Sequence, residues 1–292
     1  MVCYRPITGY RAKSVNDSGK RSIVFKPGDG YIDLPVTIPC GQCIGCRLER
    51  SRQWAMRCVN EASLHKNNCF VTLTYDNDNL PSDLSLDKTH FQKFMKRLRK
   101  RFGTGVRYFH CGEYGSENYR PHYHACLFNF DFSDKTLWSV RKDVKLYRSP
   151  SLEKLWPYGF STIGDVTFES AAYCARYILK KITGDAAPEH YNGRLPEYVT
   201  MSRRPGIGKE WIEKYYKDVY PEDRLIIRND VICKPPKYYD YIYDQIEPEK
   251  MMAIKFKRKE GIKELGDEVG RDRLEVKEEV QKRRAEKLIR PL

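Results

Sequence analysis

The chain reads as an α+β protein: a central antiparallel sheet with helices packed on one face, an N-terminal Cys-rich segment and a charged helical C-terminal tail. Three observations carry that reading. Residues 69–75, 106–111, 122–128 and 161–167 are short runs rich in β-branched and aromatic residues, as strands are. Residues 86–102 and 168–182 repeat their apolar positions at helical spacing. From Cys69 the order is β-α-β-β-insert-β-α, which an antiparallel sheet with helices on one face satisfies.

The elements follow in order. Residues 1–46 are rich in Gly, Pro and Cys and hold short strand-like pieces, such as 21–25. Across 47–65, Leu48, Ser51, Trp54, Ala55, Cys58, Val59 and Ala62 recur at three- and four-residue steps, which predicts a helix. The strand 69–75 (CFVTLTY) runs into a turn-rich stretch, 76–85, containing Pro81. The 86–102 helix has an apolar stripe of Phe91, Phe94, Met95, Leu98 and Phe102, and Gly103 and Gly105 end it. Its other faces carry Lys93, Lys96, Arg97, Arg99, Lys100 and Arg101. A polar loop, 112–121, joins the next two strands. Residues 133–160 read as irregular or helical, with Trp138, Trp156 and Pro157. The 168–182 helix offers Ala171, Ala172, Ala175, Ile178 and Leu179 for packing. From about residue 251 the chain is dense in Lys, Arg and Glu, and is expected to be a solvated or partner-dependent helix. The expected organisation is a Cys-rich segment and helix (1–66), a catalytic core (67–185), an extension packing on it (186–250) and the tail (251–292).

Composition bounds the function. Of 292 residues, 40% are hydrophobic and 13% aromatic, which sustains a core and excludes wholesale disorder. The formal net charge of +14 points to a polyanionic partner: nucleic acid, an acidic membrane surface or an acidic protein. The first twenty residues are polar, and no run of about 18 apolar residues occurs, so a soluble intracellular protein with no membrane partner is expected. In that setting ten cysteines read as thiols or metal ligands rather than a disulfide framework.

Chemistry concentrates in three places. In PHYHACLF, His122 and His124 sit at i and i+2 of a strand, so both imidazoles leave the same sheet face and suit a shared divalent cation. The spacing alone also fits two unrelated histidines at a strand edge. The preceding strand, FHCGEY, brings Glu113, or alternatively His110, near the pair if the two strands form a hairpin. A carboxylate beside two imidazoles makes a site for Mg²⁺ or Mn²⁺ with positions open to phosphate oxygen. In YCARYILKK, Tyr173 and Tyr177 share a helix face, with Arg176, Lys180 and Lys181 close by. Cations favour the phenolate, which a phenol of pKa about 10 otherwise resists. Tyrosine pairs on helices are more often packing aromatics, and this chain has 21 tyrosines. In PCGQCIGC, Cys40, Cys43 and Cys46 lie within one tight loop whose glycines let the backbone curl around a metal, with Cys3 the candidate fourth ligand. Structural Zn²⁺ is the leading reading; an iron–sulfur cluster or three reduced thiols are the others. Cysteines 58, 69, 111, 126, 174 and 233 fall on apolar patterns and read as packing residues.

DNA contacts are assignable only coarsely. Arg47, Arg50, Arg52 and Arg57 on the first helix, and the basic face of the 86–102 helix, suit phosphates or plain solvation equally. Tyr215, Tyr216, Tyr238, Tyr239 and Tyr241, interleaved with lysines, suit base stacking or a core.

The TLTY strand, the PHYHACLF strand and the YxxxYxxKK helix, in this order, resemble the three motifs of the HUH endonuclease superfamily. More narrowly, PCGQCIGC followed by RLERSRQWAMR and FVTLTYDNDNLP is similar to the replication initiation proteins of gokushoviruses, a branch of the Microviridae, along most of residues 1–185. The resemblance implies a ferredoxin/RRM-related HUH fold. It implies a metal held by His122, His124 and Glu113, and nucleophiles Tyr173 and Tyr177 with Lys180 near the phosphate and Lys181 as alternate. It further implies rolling-circle replication: nicking of single-stranded origin DNA, a 5′-phosphotyrosine link, and rejoining, in the host bacterial cytoplasm beside a host helicase and polymerase. Two other classes remain open: a non-catalytic, zinc-containing nucleic-acid-binding protein, and a metal-dependent hydrolase that uses water. No GxxxxGK[ST] loop occurs, so a fused helicase is unsupported.

Overall fold

The computed structural model describes residues 3–17, 19–115, 118–141, 144–182, 185–227, 231–264, 266 and 270–287, with the side chains of 141, 177–180 and 287 outside the described set. Its strands are β1 (Ile7–Ala12), β2 (Ile23–Val24), β3 (Gly30–Ile38), β4 (Asn68–Tyr75), β5 (Arg107–Tyr114), β6 (Pro121–Phe128), β7 (Thr136–Arg141), β8 (Val144–Arg148), β9 (Gly159–Gly164), β10 (Tyr198–Met201), β11 (Leu225–Ile226) and β12 (Ile232–Cys233). Its α-helices are α1 (Ile44–Ser63), α2 (Lys88–Phe102), α3 (Pro150–Leu155), α4 (Phe168–Lys180), α5 (Ala187–Tyr191), α6 (Lys209–Val219), α7 (Lys237–Ile246), α8 (Pro248–Lys263) and α9 (Arg271–Lys287). The chain forms two compact units, Ser51–Met252, and Met1–Arg50 together with Ala253–Leu292. Among the described residues no helix is long and apolar enough to cross a membrane.

The unit Ser51–Met252 is built on a seven-stranded sheet of order β10-β5-β6-β4-β9-β8-β7, with every pairing antiparallel. Side chains alternate between its faces. One face carries Val71, Leu73, Tyr75, Tyr123, Ala125, Leu127 and Ile163, against which α2 packs Phe91, Phe94, Met95 and Leu98, and α3 packs Leu152 and Leu155. Burying each of these large apolar side chains contributes roughly 1.5–3 kcal/mol. The Asp87 carboxylate caps α2 by accepting from the Thr89 N–H. The other face carries Phe109, Cys111, Cys126 and Phe128 under Ala55 and Cys58 of α1 and Ala171, Ala172, Cys174 and Ala175 of α4. The α+β class and the antiparallel sheet stand as expected. The expectation of helices on one face holds for α2 and α3 only, because α1 and α4 cover β5 and β6 from the other side. Small residues on α4 allow that close approach.

The predicted order from Cys69 is observed, and the insert has a structure that its sequence did not announce. Residues 136–148 form the hairpin β7–β8 at one edge of the sheet. A register shift between Leu137 and Ser139 breaks the strict alternation that marks a strand, and Leu137, Trp138, Val140 and Val144 remain exposed. The strand β10 likewise owes its place to pairing with β5. At the start of β9, Gly159 has φ +142°, and a Cβ there would lie 2.2 Å from the Asp76 nitrogen, so only glycine fits between β9 and the end of β4.

The unit of Met1–Arg50 and Ala253–Leu292 holds a small antiparallel sheet of order β2-β1-β3. The charged tail is helical, in α8 and α9. In α9 Leu274 and Glu278 are buried, and the Arg5 guanidinium meets Glu278 at 2.7 Å.

Candidate metal centre and tyrosine helix

The register of β5 against β6 sets Glu113 directly opposite His122, and Cys111 opposite His124. Period-two alternation then sends Glu113, His122 and His124 to one face, the face that α4 covers. There, Glu113 Oε1 lies 2.6 Å from His122 Nε2 and 2.8 Å from His124 Nε2. The two imidazole planes stand nearly perpendicular, with centroids 5.0 Å apart. Glu113 and His124 are buried and His122 is half-buried.

The neighbours of the two rings decide which nitrogen faces the centre. His122 Nδ1 lies 3.0 Å from the Arg120 carbonyl oxygen, an acceptor only, so Nδ1 carries the proton there. His124 Nδ1 lies 2.9 Å from Thr72 Oγ1 on β4, which can accept in the same way. Both Nε2 lone pairs are then turned to the Glu113 carboxylate, as when a second-shell acceptor fixes a metal-ligating histidine. Glu113 Oε2 is buried and has no hydrogen-bond partner among the described residues. Burial pushes the Glu113 carboxyl up, but hydrogen bonds from His122 and His124 outweigh it and hold its pKa below the usual value. A buried anionic oxygen without a partner, beside two imidazole nitrogens with all three ligand atoms within 4.8 Å, fits a divalent cation.

The helix α4 starts just past β9. Thr167 caps it and forms a reciprocal capping box with Ser170. The Ser51 hydroxyl on α1 donates to the Ala172 carbonyl at 3.0 Å. Tyr173 hangs from this helix over the histidines: its hydroxyl donates to Glu113 Oε1 at 3.1 Å, and its ring meets His124 edge-on at 4.9 Å. Exposed Arg176 has its guanidinium 5.8 Å from the Tyr173 ring centre. Exposed Lys181 follows the last turn. The side chains of Tyr177 and Lys180 lie outside the described residues.

His110 does not join the centre. It has the opposite parity on β5, is buried on the far face against Phe91, and pairs through Nδ1 with Thr200 Oγ1 at 2.9 Å. Thr72 and the Arg120 backbone are participants that the motifs did not single out. The available signal was the TLTY strand, whose Thr72 pairs with His124 across β4 and β6. Arg120 also holds the end of β4, donating to the Tyr75 carbonyl at 3.0 Å and to Asn77 Oδ1 at 2.6 Å.

Several basic and aromatic candidates have structural partners. Arg57 is sandwiched between the rings of Trp54 and Tyr238 and donates to the Ile207 carbonyl at 2.9 Å. Arg52 donates to the Lys234 carbonyl. Arg97 and Arg99 of α2 donate to the carbonyls of Leu155 and Val106, and α2 packs on the face opposite the candidate centre. Tyr239 is fully buried, whereas Tyr241 is exposed. In the other unit Arg47 is half-buried, and Arg50 donates to the Gly41 carbonyl at 3.3 Å. There, too, the thiols of Cys3, Cys40, Cys43 and Cys46 come within 4.8 Å of one another.

Fold and site together define an α+β protein whose sheet presents two histidines and a glutamate beneath a tyrosine-bearing helix. Residues 68–182, which run from β4 to the end of α4 and so contain the whole centre, match the family model of the replication-associated protein ORF2. The chain is 36% identical over 281 residues to the replication-associated protein VP4 of Bdellovibrio phage phiMH2K, covering 91% of this chain and 85% of that protein. It is 36% identical over 264 residues to the replication-associated protein ORF2 of Spiroplasma virus 4, covering 82% and 79% respectively. It is 30% identical over 225 residues to the replication-associated protein ORF4 of Chlamydia phage 1, covering 72% and 55%. The chain therefore belongs to the replication-associated proteins of these small phages. No solved structure matches it.

Proposed function

We propose that this protein is a replication-initiator endonuclease of the HUH type, which nicks single-stranded DNA at a phage origin by tyrosine attack. The observation that carries the reading is the convergence of a tyrosine hydroxyl and two imidazoles on one buried carboxylate oxygen. The motif order, the net charge of +14 and the relatives' names support it.

His122 and His124, through Nε2, and Glu113 would hold a divalent cation, Mg²⁺ or Mn²⁺. When bound, it polarises the scissile phosphate and offsets the charge that develops in the transition state. Tyr173 makes the first cut. Its hydroxyl is oriented by the hydrogen bond to Glu113 Oε1, the acceptor 3.1 Å away that takes the phenolic proton. The Oη–P bond forms and the P–O3′ bond breaks. The 5′ end stays on the tyrosine as a phosphodiester, and the leaving 3′ oxygen takes a proton from solvent and serves a host polymerase as primer. Tyr177, one turn further along α4, cuts the regenerated origin after a round of synthesis, and the freed 3′-OH reverses the first link to close the displaced circle. Lys180, with Lys181 as alternate, and Arg176 supply positive charge to phenolate and phosphate. The reaction takes place in the host bacterial cytoplasm with the host helicase.

The test is a single-stranded origin oligonucleotide labelled at its 3′ end, incubated with the protein and Mn²⁺ and run on a denaturing gel. A labelled protein–DNA adduct is expected, and the Tyr173→Phe/Tyr177→Phe double variant should lack it. Cutting without an adduct would mean that water is the nucleophile. DNA retention with neither cutting nor adduct would leave a non-catalytic, zinc-containing nucleic-acid-binding protein, the reading that the cysteine cluster favours.

A further inference from the structure

The cysteine cluster lies apart from the histidine centre in sequence and chemistry. Cys3 precedes β1, while Cys40, Cys43 and Cys46 span the end of β3 and the first turn of α1. All four are free thiols, and their sulfurs lie within 4.8 Å of one another. Two edges of this group measure 3.7 Å, from Cys3 Sγ to Cys40 Sγ, and 3.9 Å, from Cys43 Sγ to Cys3 Sγ. Disulfides need about 2.05 Å, so these are not bridges. A tetrahedron of thiolates around zinc at about 2.3 Å has edges of about 3.8 Å, which both separations match.

The backbone is arranged for sulfur anions. Five N–H groups point at three of the sulfurs: Cys40 N at Cys3 Sγ (3.2 Å), Gln42 N and Cys43 N at Cys40 Sγ (3.4 and 3.3 Å), and Tyr4 N and Cys46 N at Cys43 Sγ (3.3 and 3.5 Å). Thiols are weak acceptors, whereas thiolates gain from such a nest of donors. Gly41, with φ +75°, supplies the left-handed turn that lets these N–H groups face inward.

We infer that Cys3, Cys40, Cys43 and Cys46 bind one zinc ion as a closed tetrathiolate site. Binding replaces the thiol protons, which pass to solvent, and all four positions are filled by protein, so the ion is structural. It ties the segment before β1 to the start of α1. A four-iron cluster is the wrong size, because each thiolate would sit on a different iron and the sulfurs would stand much farther apart.

The test starts from full-length protein purified under reducing conditions without added metal. Elemental analysis should find about one zinc per chain, retained on gel filtration. The Glu113→Ala/His122→Ala/His124→Ala variant should keep that zinc, which separates this site from the proposed catalytic cation. Cobalt exchanged into the same variant should show the intense sulfur-to-cobalt charge-transfer absorption of a tetrathiolate. In the wild-type chain an organomercurial thiol reagent should release the zinc as these cysteines are modified. Cys43→Ser should lower zinc content to near zero. Wild-type protein that is folded but carries no zinc, carries iron instead, or loses its zinc with the histidine variant would overturn the inference without reliance on any cysteine variant.

Discussion

The Tyr173 hydroxyl on α4 donates to the same Glu113 oxygen that His122 and His124 approach from β6, at 3.1, 2.6 and 2.8 Å respectively. Four groups from three elements thus meet on one atom, and each is separately removable. Tyr173→Phe deletes only the hydroxyl and keeps the ring against His124. Loss of one hydrogen bond should change stability by no more than about 1.5 kcal/mol. Covalent adduct formation at the first cut should fall by about 10³-fold or more, as for other nucleophile deletions. Mn²⁺ binding by calorimetry should stay within about threefold, since no ligand atom is lost. Wild-type adduct yield in this variant would move the first cut to Tyr177.

Thr72 acts through His124. Thr72→Val keeps the β-branched shape on β4 but removes the acceptor of the Nδ1 proton. Mn²⁺ affinity or nicking rate should drop by about 10–100-fold, the usual penalty for removing such a partner, while circular dichroism remains that of the parent. Unchanged affinity would show that the hydroxyl does not hold the ring.

Gly159 is a test of the sheet itself. An alanine methyl would lie 2.2 Å from the Asp76 nitrogen and 2.7 Å from the Thr74 carbonyl oxygen, at φ +142°. Backbone strain of this kind amounts to about 1–3 kcal/mol, and the contact with β4 adds to it. Gly159→Ala should therefore lower the melting temperature by several degrees in differential scanning calorimetry. A variant that melts with the parent would contradict this packing of β9 on β4.

His110 makes stability depend on pH. Burial, reinforced by the nearby His124, holds its imidazole pKa well below the usual value. Below about pH 6.5 the unfolded chain takes up a proton at this residue that the folded chain refuses. The His110 contribution to stability is therefore complete above that pH and is lost as the pH falls, by up to about 1.4 kcal/mol per pH unit. Urea unfolding at pH 7.5 and 5.5 should show a steeper loss for the parent than for His110→Gln. Parallel losses in the two proteins would refute the assignment.

Much of this was legible in the chain. The repeat of Phe91, Phe94, Met95 and Leu98 announced α2, and CFVTLTY and PHYHACLF announced β4 and β6, because local periodicity is what a helix or a strand requires of its own residues. The edge hairpin β7–β8 was not legible. An edge strand has one free side, its apolar residues stay exposed, and the register shift after Leu137 blurs its alternation.

By itself the sequence determined that His122 and His124 leave one face of a strand and that Tyr173 follows on a helix, since strand and helix geometry depend only on neighbours along the chain. Only the tertiary structure decided that Glu113 and not His110 joins the pair, because that choice rests on the register of β5 against β6 and on the parity it imposes. It also decided that Thr72 and the Arg120 carbonyl orient the imidazoles, that Cys3 stands beside Cys40 and Cys43, and that α4 lies close enough for Tyr173 to reach Glu113. Each of these contacts closes a loop of chain whose ends are brought together by packing, which local propensity does not specify.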